Sequence, residues 1–395
     1  MTTVFTDPDR YTDMAGWHRE VAELRARAPI HRVVADGFDP FWAVIAHDVV
    51  MEVERRPDLF RNAPLPWVVS RSDIAAAREA GPAPRTLIHM DGEDHAAYRR
   101  FGNDWFRPAS LAALQERLDQ LADDALATLE ARGGSCDFAA DVAMPYPLKV
   151  ILELMGLPEA EYPQVIALTQ DFFARDGDPR VIQNLFGYMC ALTGARRAEP
   201  TGDLASAVSN GRIGGELIPE VEATSYHMMV ATAGYESTAK ALTGGMHALI
   251  ANPEQLRRLR RNPELIDSAV DEMIRYSSPV RHMMRTASAD TRIAGADIAA
   301  GDWLLLSYPA ANHDPKKFPE PDAFDVARPN ASGHLAFGFG PHHCLGAALA
   351  RMEMRTLFRR ILPRLESVTY DGDALLTDTT FIGGFRTLPI RYRLR

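Results

Sequence analysis

Cysteine is scarce in this chain: three residues, at positions 136, 190 and 344 of 395. That is too few for a disulfide framework and fits a reducing compartment. Long apolar runs are missing too. No stretch of eighteen apolar residues occurs, so no membrane-spanning helix is expected. The first residues, Met-Thr-Thr-Val-Phe-Thr-Asp-Pro-Asp-Arg, have neither the basic start nor the apolar core of a leader. A cytoplasmic protein without a membrane anchor is expected. Positive charge is also short: 43 Lys and Arg against 53 Asp and Glu leave a net charge of −10, which argues against a nucleic-acid surface. The rest of the composition, 46% hydrophobic and 24% charged, is that of a globular chain long enough to bury a cofactor cavity, as one large domain or two ordinary ones.

The most informative stretch is Phe337-Gly338-Phe339-Gly340-Pro341-His342-His343-Cys344-Leu345-Gly346-Ala347. It puts a cysteine where a glycine-rich loop runs into a helical pattern. A thiol there lies beside the first N–H groups of the helix, whose dipole is expected to lower its pKa. Gly340 and Gly346 lack a Cβ and let a flat partner come close to the backbone. A soft, single-sulfur anion with room for a planar ring is what a haem-thiolate iron requires. The alternative is a buried, inert cysteine.

The pattern Phe337-x-x-Gly340-x-x-x-Cys344-x-Gly346, extended by Ala350-Arg351, resembles the haem-binding signature of the cytochrome P-450 superfamily, in its bacterial soluble, camphor-hydroxylase-like branch. The resemblance implies a mainly α fold with a small β-rich region, built as a triangular prism and a single domain over residues 1–395. It implies haem b, iron protoporphyrin IX, between a long central helix and the helix that follows the cysteine. Cys344 would be the axial ligand, with the N–H groups of Leu345 and Gly346 near its sulfur. Phe337, Gly346 and Ala233 would border the cofactor.

Residues 219–252 read as a helix of about 50 Å, apolar around most of its circumference and therefore buried. Within it, Ala233-Gly234-Tyr235-Glu236-Ser237-Thr238 sets an acid and two hydroxyls in a greasy span. Hydroxyls bonding back to the preceding turn would account for them as a polar kink. The segment is similar to the family's central-helix motif of small residue, glycine, any residue, acid and threonine, which implies that Glu236, Ser237 and Thr238 deliver protons during oxygen activation. Serine stands at the threonine position, which implies looser placement of water.

In Asp91-x-x-x-His95-x-x-x-Arg99, the last two residues share one helix face. By themselves they make a solvated basic edge. The segment is similar to the family's propionate-binding stretch, and Arg285 and His342 match further propionate ligands. Glu272-Met273-Ile274-Arg275 reads as an ordinary surface ion pair, but it resembles the family's Glu-x-x-Arg, with Arg328, after the proline-rich meander 318–328, as third member. Residues carried over to the substrate pocket are Ile88, Met229, Val230, Ala233, Val280, Met283, Phe381 and Ile382. They are nearly all apolar, which implies a terpenoid, steroid or aromatic substrate. Two helices within 159–200, broken around Gly177-Asp178-Pro179, would form a lid carrying Phe172, Phe173 and Phe186.

Together these matches imply a haem-thiolate monooxygenase that inserts one oxygen atom from O2 into a lipophilic small molecule, acting as a monomer. No flavin or iron–sulfur motif follows Cys344, so a separate, acidic ferredoxin-type partner would supply electrons. Arg351, Arg355 and Arg359 lie along one helix face and, with Arg100 or Arg107, would attract it. Solvated arginines, or pairs with Glu353, are the plainer reading. Two other functions stay open: a peroxide-driven haem-thiolate enzyme, and a non-catalytic haem ligand-binding or scaffold protein.

Local patterning predicts helices at 17–27, 48–55, 72–79, 110–132 and 141–155, one starting at Leu157-Pro158-Glu159, and strands at 30–34, 41–46, 136–138, 285–287 and 290–298.

Overall fold

Small and apolar residues run right round residues 220–251, and a helix without a polar face has to be wrapped on all sides. In the computed structural model, which describes residues 3–80, 85–174 and 179–395, Glu220–Ala251 is one 32-residue helix. Helices Pro145–Leu154, Pro179–Ala198 and Ile266–Ser277 pack against it. Two glycines set how close they come. A Cβ on Gly234 would lie 2.6 Å from Ile151 Cδ1, and one on Gly245 would lie 2.7 Å from Met273 Sδ, so a larger residue at either position would require Ile151 or Met273 to shift. The helix after the cysteine, Ala347–Arg364, packs on Gln115–Arg132 and on Ile266–Ser277.

Strands collect in a minor part of the fold. A five-stranded sheet runs in the order Ile30–Val33, Phe41–Val44, Trp303–Ser307, His282–Ala287, Phe60–Arg61. Trp303–Ser307 pairs in parallel with Phe41–Val44 and antiparallel with His282–Ala287, with Leu304 opposite Arg285. Arg285 is thus held in an interior strand. In a second sheet Pro389–Leu394 is the middle strand, pairing with Leu365–Tyr370 on one side and Ser135–Asp137 on the other. The fold is mainly α with a small β-rich region, as the resemblance implied.

Some boundaries differ from the sequence pattern. The helix expected at 110–132 is two, Pro108–Ala112 and Gln115–Arg132. Between them the N–H groups of Ala113 and Leu114 turn back to the carbonyls of Ser110 and Leu111, tightening the chain by one residue. The expected 141–155 helix opens as a π turn, Ala139–Ala143, and resumes as Pro145–Leu154. Pro145 and Pro147 have no N–H to offer the α ladder. Pro158 caps a short 3-10 turn, Glu159–Glu161, and the helix proper is Tyr162–Ala174. The expected lid break at Gly177 and Asp178 lies outside the described residues, as does the side chain of Phe173. Among the described residues no helix is long and apolar enough to cross a membrane.

Candidate active site

The cysteine loop is held from both ends. Cys344 N–H donates to the Phe337 carbonyl at 2.8 Å, and the Arg351 guanidinium lies 4.6 Å above the Phe337 ring. Gly340 adopts a left-handed φ of +72°, and a Cβ there would come 2.5 Å from the Glu54 carbonyl oxygen. Its missing side chain therefore makes room for Glu54 rather than for a ring. Gly346 does face open space, with Phe106 the nearest neighbour at 3.9 Å from a built Cβ.

Cys344 itself has an exposed surface, as does His343 before it, while Leu345 and Gly346 are half-buried and Ala347 is buried. Burial nonetheless pushes its pKa up, outweighing the backbone N–H groups of Gly346 and Ala347 and the charges of Arg99 and Arg351. A thiol with open surface that is desolvated by its surroundings sits in a recess. This corrects one expectation. The helix terminus does not by itself lower the thiol's pKa, because desolvation is the larger effect, and the amides directed at the sulfur include that of Gly346, as expected, and that of Ala347.

The central helix presents a second opening. Met229 and Ser237 are partly exposed and Ala233 is exposed, although Ala231 and Tyr235 between them are buried. Their spacing of four residues puts them on one stripe. Ser237 Oγ donates to the Ala233 carbonyl at 3.1 Å, and Thr238 Oγ1 to the Gly234 carbonyl at 3.4 Å. Glu236 and Thr238 are buried. One turn on, the buried Lys240 donates from Nζ to the Phe385 carbonyl at 3.2 Å. Burial lowers its pKa, and the negative charge of Glu236 pulls it partly back. No motif singled out Lys240.

Of His95, Arg99, His342 and Arg285, two meet acids: His342 faces Asp91 and Arg285 faces Glu54. The His95 and His342 rings lie 4.0 Å apart, and His95 Nε2 is buried without a hydrogen-bond partner. Burial, with the charges of His342 and Arg99, lowers the His95 pKa to about 4. Arg99 Nη2 donates to the His343 carbonyl at 2.6 Å. His342 Nε2 lies 3.6 Å from Asp91 Oδ1. Burial raises the Asp91 pKa, but hydrogen bonds from His342, Ala63 and Asn62 outweigh it and leave a net lowering. Arg285 Nη2 donates to Glu54 Oε1 at 3.1 Å. Glu54 had no sequence signal, since it ends an ordinary helix, His47–Glu54, and meets Arg285 only through the fold.

Glu272, Arg275 and Arg328 meet in a fully enclosed cluster. Glu272 accepts from Arg275 Nε at 2.7 Å and Nη2 at 2.9 Å, and from Arg328 Nε at 3.0 Å. Arg328 also donates to the carbonyls of Pro319, Glu320 and Ala323 in the meander.

Of the pocket residues, Val230 is buried and Ile88, Met229, Val280, Met283, Phe381 and Ile382 are partly exposed. Val280 and Ile382 are joined by an isolated β-bridge. The sequence reading missed Trp67, whose ring stands 5.4 Å from Phe381 and 5.5 Å from His89. It lies in the proline-interrupted stretch after Pro64, where no period marks a buried face.

The donor set suits one kind of group. A recessed thiol, an open stripe on the central helix, and a histidine nitrogen and two arginines placed to receive carboxylates fit an iron porphyrin with acidic side arms. Fold and site define a haem-thiolate protein, and comparison with known proteins specifies which. Residues 214–394 match the family model for cytochrome P450. The chain is 36% identical to cytochrome P450-terp of a Pseudomonas species, over 98% of this chain and 95% of that one. It is 31% identical to a steroid C26-monooxygenase of Mycobacterium tuberculosis, over 93% and 98% of the two chains. The crystal structure of CYP108D1 from Novosphingobium aromaticivorans superposes with a TM-score of 0.92 at 36% identity, covering 99% of this chain and 98% of that one. The chain belongs to the cytochrome P450 family and is a haem-thiolate monooxygenase.

Proposed function

We propose that this enzyme inserts one oxygen atom from O2 into a terpenoid, steroid or aromatic molecule, with electrons from a separate acidic ferredoxin. The observation that carries the substrate class is the accessible stripe Met229, Ala233, Ser237 on a largely buried helix, together with the apolar character of the residues assigned to the pocket. Relatives point the same way: similar chains are named for steroid C26 and linalool 8 oxidation. When bound, haem supplies the iron at which O2 is activated. Cys344 ligates that iron, Phe337, Gly346 and Ala233 border the ring, and His95, Arg99, Arg285 and His342 receive the propionates. Glu236 holds the proton supply, Ser237 passes protons from the open stripe, and Thr238 sits behind it. Glu272, Arg275 and Arg328 brace the cysteine side.

The docking face is narrower than the arginine stripe suggested. Arg351 pairs with Asp271 at 2.7 Å, Arg355 with Asp267 at 3.0 Å and Arg107 with Asp104 at 2.9 Å. Arg100 and Arg359 are exposed and have no ion pair among the described residues, so they carry the attraction for an acidic partner. The reading includes a cytoplasmic monomer, and its single domain over 1–395 is supported by relatives that match along nearly the whole length.

The test is a spectral screen of terpenes, steroids and aromatics for displacement of iron-bound water, followed by turnover of each hit with O2 and a surrogate ferredoxin system. Oxygenated product from an apolar hit supports the reading. Binding only of charged or strongly polar compounds, or product with peroxide but none with ferredoxin and O2, contradicts it.

A further inference from the structure

Glu54 is 3% exposed and sits where three parts of the fold meet. Its Oε1 accepts from Arg285 Nη2 at 3.1 Å and from Tyr308 OH at 2.9 Å, and the Phe339 backbone N–H of the cysteine loop is also directed at the carboxyl group. The loop is fitted to it: a Cβ on Gly338 would lie 3.3 Å from Oε1. Oε2 is buried with no hydrogen-bond partner. A buried carboxyl oxygen left unpaired is costly, so a partner for it is missing among the described residues.

We propose that Glu54 is a haem-binding residue, which enters the site as the neutral acid and donates an Oε2–H hydrogen bond to the propionate held by Arg285. The proposal rests on the reading that Arg285 receives a propionate. Two carboxyl groups that share one guanidinium do not both ionise easily; one of them keeps a proton. Glu54 is the one disposed to keep it, because burial pushes its pKa up to about 7 against the opposing pull of Arg285 and Tyr308. A protonated carboxyl gains one O–H donor, and Oε2 is the oxygen free to carry it. The titratable or charged groups facing Glu54 are Arg285 from the sheet and Tyr308 from the helix beyond Trp303–Ser307. From its own helix end, Arg55 lies 5.2 Å over the Phe339 ring, and His342 in the cysteine loop faces Asp91.

The test follows haem transfer from the ferric holoenzyme to apomyoglobin between about pH 6 and about pH 9. Ionised Glu54 repels the propionate, so the wild-type transfer rate is expected to climb with pH toward tenfold per unit. Glu54→Gln keeps an acceptor for Arg285 and a donor for the propionate but does not titrate, and its rate should stay low and flat. Asp91, His342 and His95 are unchanged in that variant, so a slope they cause would persist in it. Tyr308→Phe removes a donor to the ionised form and should move the climb to higher pH. A Glu54→Gln protein with the wild-type profile, or a Tyr308→Phe profile that does not move, overturns the proposal. Arg285→Gln separates the underlying reading: if it loses haem no faster than wild type at pH 6, Arg285 holds no propionate, and the proposal falls for that reason, whatever Glu54 does.

Discussion

Arg275 and Glu272, one helical turn apart, exchange two hydrogen bonds of 2.7 and 2.9 Å with both side chains wholly enclosed. An ion pair so desolvated contributes little net stability over an apolar pair, yet removing one partner strands a buried charge and costs about 3–5 kcal/mol. Glu272→Ala and Arg275→Ala are each expected to lower the melting temperature sharply and to reduce haem content on purification. Arg275→Lys should lose most of this as well, since an ammonium cannot make both bonds. Thermal unfolding with the haem-to-protein absorbance ratio checks it, and a wild-type ratio in Arg275→Ala contradicts it.

Ser237 bonds back to Ala233 on the open stripe, so its hydroxyl is free to exchange that acceptor for water or ligand. Ser237→Ala is expected to release severalfold more peroxide per NAD(P)H consumed, with binding unchanged. Ser237→Thr, with a methyl that restricts the rotamer, should couple at least as well as wild type. Unchanged coupling in the alanine variant removes Ser237 from proton delivery.

Among the described residues, Arg100 and Arg359 lack ion pairs of the kind that tie up Arg351 and Arg355. Reversing either charge should raise the KM for an acidic ferredoxin and flatten its dependence on salt, with kcat at saturation unchanged. Arg351→Glu is expected to act differently, lowering stability, because it would set a second acid against Asp271. Electron transfer indifferent to ionic strength contradicts this docking face.

Both carboxyl oxygens of Glu353 are buried without a partner, and burial holds its pKa well above the ordinary value. The folded state keeps a proton that the unfolded chain gives up near its ordinary 4.5. The stability tied to that proton is therefore intact below about pH 4.5 and is lost progressively as pH rises. Glu353→Gln should abolish this loss, so the gap in melting temperature between variant and wild type should widen from about pH 5 to about pH 8. A gap that is constant with pH contradicts a neutral Glu353.

The parts legible in the sequence are those whose chemistry is written in consecutive residues. The cysteine loop, the acid and hydroxyls at 236–238 and Glu272 with Arg275 all lie within a few residues of their partners. The long central helix was legible because apolar and small residues dominate its circumference, with few polar residues among them. Glu54, Trp67 and Lys240 were not, since each acquires its neighbours from strands or loops far along the chain, and a lone Glu, Trp or Lys carries no period or motif. The Cys344 pKa was misjudged for a related reason: a helix terminus can be read from local residues, whereas desolvation depends on everything folded around the sulfur. The arginine stripe was read correctly as geometry, but its partners Asp267 and Asp271 sit on another helix and cancel two of its charges.

The most direct test is the spectrum of the reduced carbon monoxide adduct, recorded for the purified wild type and for Cys344→Ser. The wild type is expected to give the red-shifted Soret band of thiolate-ligated haem, and Cys344→Ser is expected to lose that band while still folding. A wild-type spectrum of the imidazole type, or a thiolate band that survives in Cys344→Ser and so belongs to Cys136 or Cys190, would contradict the assignment of Cys344 as the iron ligand.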